Sequence, residues 1–168
     1  TQGEKGGEAL KILALDTAGE SCGTALIEDR RVLCELTSHS GETHSKHILP
    51  LVDIVLKQSG LKLKAIDAYA VTTGPGSFTG LRIGISVVKG MALANPKPIV
   101  GISSLDALAW QCNPHNGQIC VLMDARRKEV YCARYRFDQG QMIKLFPAGV
   151  MAPDKALAEL SGPWTFVG

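Results

Sequence analysis

The stretch Gly74-Pro75-Gly76-Ser77-Phe78-Thr79-Gly80-Leu81-Arg82 most constrains what this chain can fold into. Before it, Ala68 to Thr73 reads as a buried strand, and after it Leu81 to Ala94 reads as a helix. A glycine-rich joint between a strand and a helix N-terminus belongs to α/β proteins, where unpaired backbone N–H groups and the helix dipole can hold an anion. The same residues can instead make a tight connection, with Ser77 or Thr79 capping the helix. The stretch is not a P-loop, because Leu81-Arg82 stands where Lys-Ser/Thr should follow the last glycine. It also misses the dinucleotide fingerprint by one position. That disfavours an autonomous nucleotidase and leaves phosphate contact to Asp16, Thr17, Gly74, Gly76, Ser77 and Thr79.

The flanking elements place this joint in a mixed sheet. Ala9 to Asp16, Cys22 to Glu28 and Val32 to Ser38 read as strands with short links, an antiparallel meander. A helix over Thr43 to Ser59 follows, closed by Gly60, with a late start or kink expected at Pro50. Ile66 to Thr73 is the next strand; Pro96 and Pro98 stop the second helix before a short strand at Ile99 to Ile102. The order is β-β-β-α-β-α-β. A connecting helix from Ser103 to about Gln111 leads to a breaker cluster at Asn113 to Gly117, read as a lobe boundary.

Beyond it, Gln118 to Asp124 and Glu129 to Phe137 form a hairpin that echoes the first. Ile12-Leu13-Ala14-Leu15-Asp16-Thr17-Ala18 resembles Cys120-Val121-Leu122-Met123-Asp124-Ala125, an apolar strand ending in Asp before a polar turn. Two lobes are therefore expected: 9–102, and 103–168 after a disordered leader over 1–8 has been set aside. The second lobe, with a strand at Met142 to Leu145 and a helix at Pro153 to Leu160, reads as incomplete at Gly168.

The formal charge is +2, and Arg126-Arg127-Lys128 is the only basic triplet; it reads as a solvated hairpin tip, with direct RNA contact secondary. Five cysteines form no Cys-x-x-Cys pair and most lie in apolar runs, pointing to reduced thiols and a cytoplasmic setting. The first residues carry no apolar run of a signal peptide, and Leu81 to Ala94 is too short to span a bilayer.

Both long helices are more apolar than a helix lying on a sheet requires. Ile48, Leu51, Val52 and Val55 form one stripe, and Leu49, Ile54 and Leu56 fall outside it. In the second helix Gly80, Gly84, Ser86, Gly90 and Ala94 would let another backbone approach closely. A partner protein is expected to cover the excess, through His44, His47, Leu49, Val52, Leu56, Phe78, Leu81, Arg82, Gly84, Ile85 and Val88. A charge at Gly84 should then abolish docking. His44 and His47 could share a metal at i, i+3, but no third ligand is placed by sequence, and hydrogen bonding at the helix end is the better account.

Four segments together carry a family resemblance: Ile12 to Ala18, His44-Ser45-Lys46-His47-Ile48-Leu49-Pro50, Thr72 to Arg82, and Asp124-Ala125-Arg126 resemble the TsaB (YeaZ) family. The resemblance implies an actin-like/Hsp70-like (ASKHA) fold of two RNase H-like lobes. It implies a non-catalytic subunit for threonylcarbamoyl modification of the tRNA adenosine next to the anticodon. The implied partners are the transferase TsaD and the ATPase TsaE, with a homodimer when the chain is alone, tRNA engaged only indirectly, and no membrane. No cofactor of its own is implied, only ATP or ADP with Mg²⁺ at the interface of the complex. Related TsaD proteins carry a His-x-x-x-His metal motif after the strand that follows the second helix; here Val100 to Asp106 contains no histidine. The alternatives are a stand-alone metallo-glycoprotease-like peptidase or ATPase, and a homodimeric binding module.

Overall fold

Alternating inward side chains build the first sheet. In β1 (Lys11–Asp16) Leu13 and Leu15 turn inward, and in β2 (Cys22–Glu28) Cys22, Thr24 and Leu26 do so. The two pair antiparallel with Ala14 opposite Ala25, and β3 (Arg31–Ser38) extends the meander past a register shift at Leu26/Ile27. On its other edge β1 takes β4 (Ala68–Gly74) in parallel, and β5 (Ile99–Ser103) completes the order β3-β2-β1-β4-β5. The computed structural model describes residues 9–112, 117–158 and 160–168. The expected leader and residues 113–116 of the breaker cluster lie outside the described residues.

Two helices cover this sheet. α1 (His44–Gln58) buries Ile48, Val52 and Val55 against β2 and β3. It runs through Pro50 without the late start expected there; the ring is exposed, and only the Lys46 carbonyl loses its i+4 donor. α2 (Phe78–Ala94) begins three residues before the expected Leu81, because the Ser77 hydroxyl accepts the Gly80 N–H at 3.2 Å and caps the helix one turn earlier. A 3₁₀ turn at Leu63–Ala65, absent from the sequence reading, precedes β4.

The chain divides into two compact units. The first holds residues up to Thr72 together with Ser77–Gly101, and the second holds Thr73–Gly76 and Ile102–Gly168. In the second, α3 (Ser104–Trp110) is capped by Ser103 and lays Leu105 and Ala109 on a sheet of β6 (Gly117–Arg126), β7 (Glu129–Asp138), β8 (Gln141–Met151) and β9 (Trp164–Val167). Ile119, Val121, Ala133, Tyr135 and Phe137 face α3, while Cys120, Cys132 and Ala156 of α4 (Pro153–Leu157) form a smaller core on the other face.

The strand order is β8-β7-β6-β9, with β9 parallel to β6. Each sheet thus sets its leading strand between an antiparallel and a parallel neighbour, which extends the repeat seen in the hairpins. β8 is far longer than the expected Met142 to Leu145; it runs through Pro147, tolerated because β8 is an edge strand. α4 stops at Leu157 rather than Leu160. Among the described residues no helix is long and apolar enough to cross a membrane.

Candidate functional site

The sequence pointed to the joint between β4 and α2, and in the first unit the structure draws most of the residues named there, with the turn after β1, into internal contacts. Asp16 Oδ1 accepts the Ala18 N–H at 2.9 Å and the Thr72 hydroxyl at 2.8 Å. Thr17 is fully buried and donates its hydroxyl to the Gly80 carbonyl at 2.8 Å. Ser77 N–H donates to the Ala18 carbonyl at 2.7 Å, and His44 Nε2–H donates to the Gly19 carbonyl at 2.9 Å. A Cβ added at Gly80 would strike the Thr17 carbonyl, and one at Gly84 the Thr17 hydroxyl. These two glycines let α2 press against the chain's own β1 turn, which corrects the expectation that they admit a partner. At Gly90 there is open space.

The residues expected to contact phosphate differ in their surroundings. Thr17 faces inward, and the Ser77 oxygen is taken by the helix cap. Asp16 already accepts two hydrogen bonds, Thr79 is exposed, and Gly74 and Gly76 belong to the second unit. In the first unit Asp16, Thr17 and Ser77 brace a turn.

An open feature of this unit is a groove of about 410 Å³ between α1 and α2, lined by Ser45, Phe78, Thr79, Arg82, Ile83, Ser86 and Val87. On α2 the lining residues recur at i, i+3, i+4, i+7 and i+8 from Thr79, one helical face, while Gly80, Gly84, Val88 and Met91 form the inward face. Phe78 is 68% exposed, and the Arg82 guanidinium lies 3.7 Å above its ring, a cation–π pair held at the surface. Leu49, one turn along α1 from Ser45, is 54% exposed.

The expected interface set therefore divides. Leu49, Phe78 and Arg82 are on the surface. Leu56, Leu81 and Ile85 are half-buried. Val52, Gly84 and Val88 are buried in the first unit and are corrected to interior residues, since the sheet-facing stripe of each helix consumes them. His47 donates to Glu42 at 3.0 Å, and His44 is engaged with Gly19. Ser45 and Ser86 were missed; spacing from Thr79 and Leu49 on a helical net is the signal that finds them.

The second unit contains a separate polar cluster. The Tyr135 hydroxyl donates to Asp106 at 2.6 Å, and Lys144 meets the same carboxylate at 2.7 Å. Burial opposes ionisation of Asp106, but the hydrogen bonds from Lys144 and Tyr135 outweigh it and hold the carboxyl below its ordinary value. Burial, and then the hydrogen bond to Asp106, push the Tyr135 phenol up. Cys120, 3.9 Å from Cys132, is pushed up to about 12, first by burial and then by its neighbour's charge. Such a thiol is unreactive at neutral pH. Among the described residues no three His, Cys, Asp or Glu side chains converge as metal ligands.

Comparison with known proteins agrees with this architecture. A family model described as "TsaD: tRNA N6-adenosine threonylcarbamoyltransferase" matches residues 35–163. The tRNA threonylcarbamoyladenosine biosynthesis protein TsaB of Escherichia coli (strain K12) is 40% identical over 165 residues, covering 95% of this chain and 71% of that protein. Its namesake in Bacillus subtilis (strain 168) is 33% identical over 162 residues, covering 95% and 71%. The solved structure of YeaZ from Pseudomonas aeruginosa superposes with a TM-score of 0.85 at 33% identity, covering 94% of this chain and 75% of that one. The ROK hexokinase of Thermus thermophilus, at 14% identity and a TM-score of 0.50, shares the fold alone, the actin-like architecture of RNase H-like lobes. By sequence over nearly its whole length, and by fold, the chain belongs to the TsaB (YeaZ) family.

Proposed function

We propose that this chain is a non-catalytic subunit in the threonylcarbamoyl modification of tRNA, and that it docks the transferase TsaD through the groove between α1 and α2. The names of its relatives supply the process, and the groove supplies the surface. The observation that carries the docking role is the exposed Phe78–Arg82 stack beside a cavity of about 410 Å³, an aromatic and an arginine held at the mouth of an apolar recess. Aromatic and arginine side chains are enriched among the energetic anchors of protein interfaces, where they fill well-packed pockets, and stacking on Phe78 already restricts Arg82. In the same reading TsaE joins the complex, nucleotide with Mg²⁺ sits at its junctions, and free chains pair through the same groove. Because Val52, Gly84 and Val88 are interior, the docking test belongs on the surface residues.

The test is capture of TsaD by the Phe78→Ala/Arg82→Glu variant. Both side chains are exposed, so the fold should be unchanged by circular dichroism. Affinity for TsaD should fall at least about tenfold, as expected on losing an interface anchor. Capture equal to that of the parent chain would remove the groove from the interface.

A further inference from the structure

The tip of the β6–β7 hairpin carries chemistry that nothing above uses. Arg126 pairs with Glu129, so Arg127 and Lys128 are the central residues of a two-residue turn. Arg126, Arg127 and Lys128 have φ values of 63°, 52° and 65°, three consecutive side-chain-bearing residues in the left-handed region. That region favours Gly, Asn and Asp, and two-residue hairpin turns of this hand are normally Asn-Gly or Asp-Gly. The same unit holds an internal control. The β7–β8 turn adopts the same hand at Gln139 (φ 49°) and Gly140 (φ 77°), with the ordinary glycine in second place.

All three basic residues are exposed, and among the described residues none of their side chains makes a hydrogen bond or ion pair. Two carboxylates flank the tip. Asp124 Oδ1 accepts the Arg126 N–H at 2.7 Å and locks the turn, while Glu129, the backbone partner of Arg126, makes no side-chain ion pair with it among the described residues. Unpaired cations that occupy positions better suited to glycine project from the sheet as a finger.

We propose that this finger contacts the phosphate backbone of tRNA. The proposal rests on the reading that the chain serves tRNA modification, and it replaces the expectation that tRNA is engaged only indirectly. Exposed Arg and Lys on a protruding turn recognise a chain of phosphates by charge. They add affinity and orientation without reading bases, and they do so in a salt-dependent way.

The decisive variant is Arg127→Asn/Lys128→Gly, which removes two charges while giving the turn its preferred residues, so the fold should survive. Binding of an unmodified tRNA transcript is followed by fluorescence anisotropy across a salt series, for the chain alone and mixed with TsaD. Affinity at low salt should fall about tenfold, and the slope of log affinity against log salt should become shallower by about 1 to 2. The charge-preserving Arg127→Lys/Lys128→Arg should bind as the parent does. Equal affinity and slope in the neutral variant overturn the proposal, as does an equal loss in the charge-preserving one. Capture of TsaD is measured on the same samples. If neither parent nor variant captures TsaD, the docking function fails, and the salt slopes of the chain alone still decide the finger.

Discussion

The two strands that open the two sheets end in the same local device and put it to different uses. At Asp16 the carboxylate accepts the N–H of Ala18 at 2.9 Å, and at Asp124 it accepts the N–H of Arg126 at 2.7 Å, each a bond to the residue two further on. From that point they diverge. Thr17 is buried under α2 and held by the Gly80 carbonyl, whereas Ala125 leads to three exposed cations in left-handed backbone. A side chain closing its own turn fixes only the turn. What lies against it determines whether the corner becomes packing or protrudes, and at Thr17 that is a helix with Gly80 and Gly84 one turn apart.

The largest effect should come from that helix. Gly80→Ala drives a methyl into the Thr17 backbone carbonyl, an obstacle that no rotamer change relieves, and should destabilise the chain by about 3 kcal/mol. Gly84→Ala meets the Thr17 hydroxyl instead and should cost somewhat less, about 2 kcal/mol. Adding Thr17→Ala should recover part of the Gly84→Ala loss and none of the Gly80→Ala loss. Urea unfolding midpoints of the five chains measure this; a Gly80→Ala chain as stable as its parent would break the contrast between the two turns.

The fold was legible in the sequence to the extent that local pattern decided it. The Asp-ended strands, the meander and the two helices followed from alternation, 3.6-residue periodicity and proline stops. The division of the candidate site was not. Gly80, Gly84 and Val88 share a helical face with Met91, while Thr79, Arg82 and Ser86 share another, and spacing alone separates these faces. Spacing does not say which face meets the chain's own β1 turn, because that contact joins residues 63 positions apart. The left-handed backbone at Arg126, Arg127 and Lys128 was invisible for a related reason: residue preference argues against it, and the two-residue register of the hairpin imposes it.

A second contrast concerns the buried hydroxyl that ties each sheet to a helix. Thr17 donates to a carbonyl, so Thr17→Val should cost about 1 to 2 kcal/mol at any pH, the penalty for an unsatisfied buried acceptor. Tyr135 donates to the Asp106 carboxylate, so Tyr135→Phe should cost about 2 kcal/mol near neutrality, as for a hydrogen bond to a charged group. The Asp106 carboxyl is held below its ordinary value in the folded chain, so its contribution is complete above the unfolded value and is lost as pH falls through the folded one. The Tyr135→Phe deficit should therefore shrink below about pH 4 while the Thr17→Val deficit stays level. Parallel losses for both variants from pH 7 to pH 3 would mean that Asp106 does not distinguish the two anchors.

The smallest effect has the opposite sign. Arg127→Asn/Lys128→Gly places preferred residues in a turn whose φ values are already 52° and 65°, so it should stabilise the chain by about 1 kcal/mol. For a chain of this size that corresponds to a rise in melting temperature of roughly 2–4 °C. The reciprocal change, Gly140→Lys in the β7–β8 turn at φ 77°, should lower it by a similar amount. If the first swap leaves stability flat while the second lowers it, Arg127 and Lys128 sit in their turn without strain. The cations would then need no compensating role to explain their presence, and the contrast between the buried corner at Thr17 and the charged finger would reduce to a difference in burial.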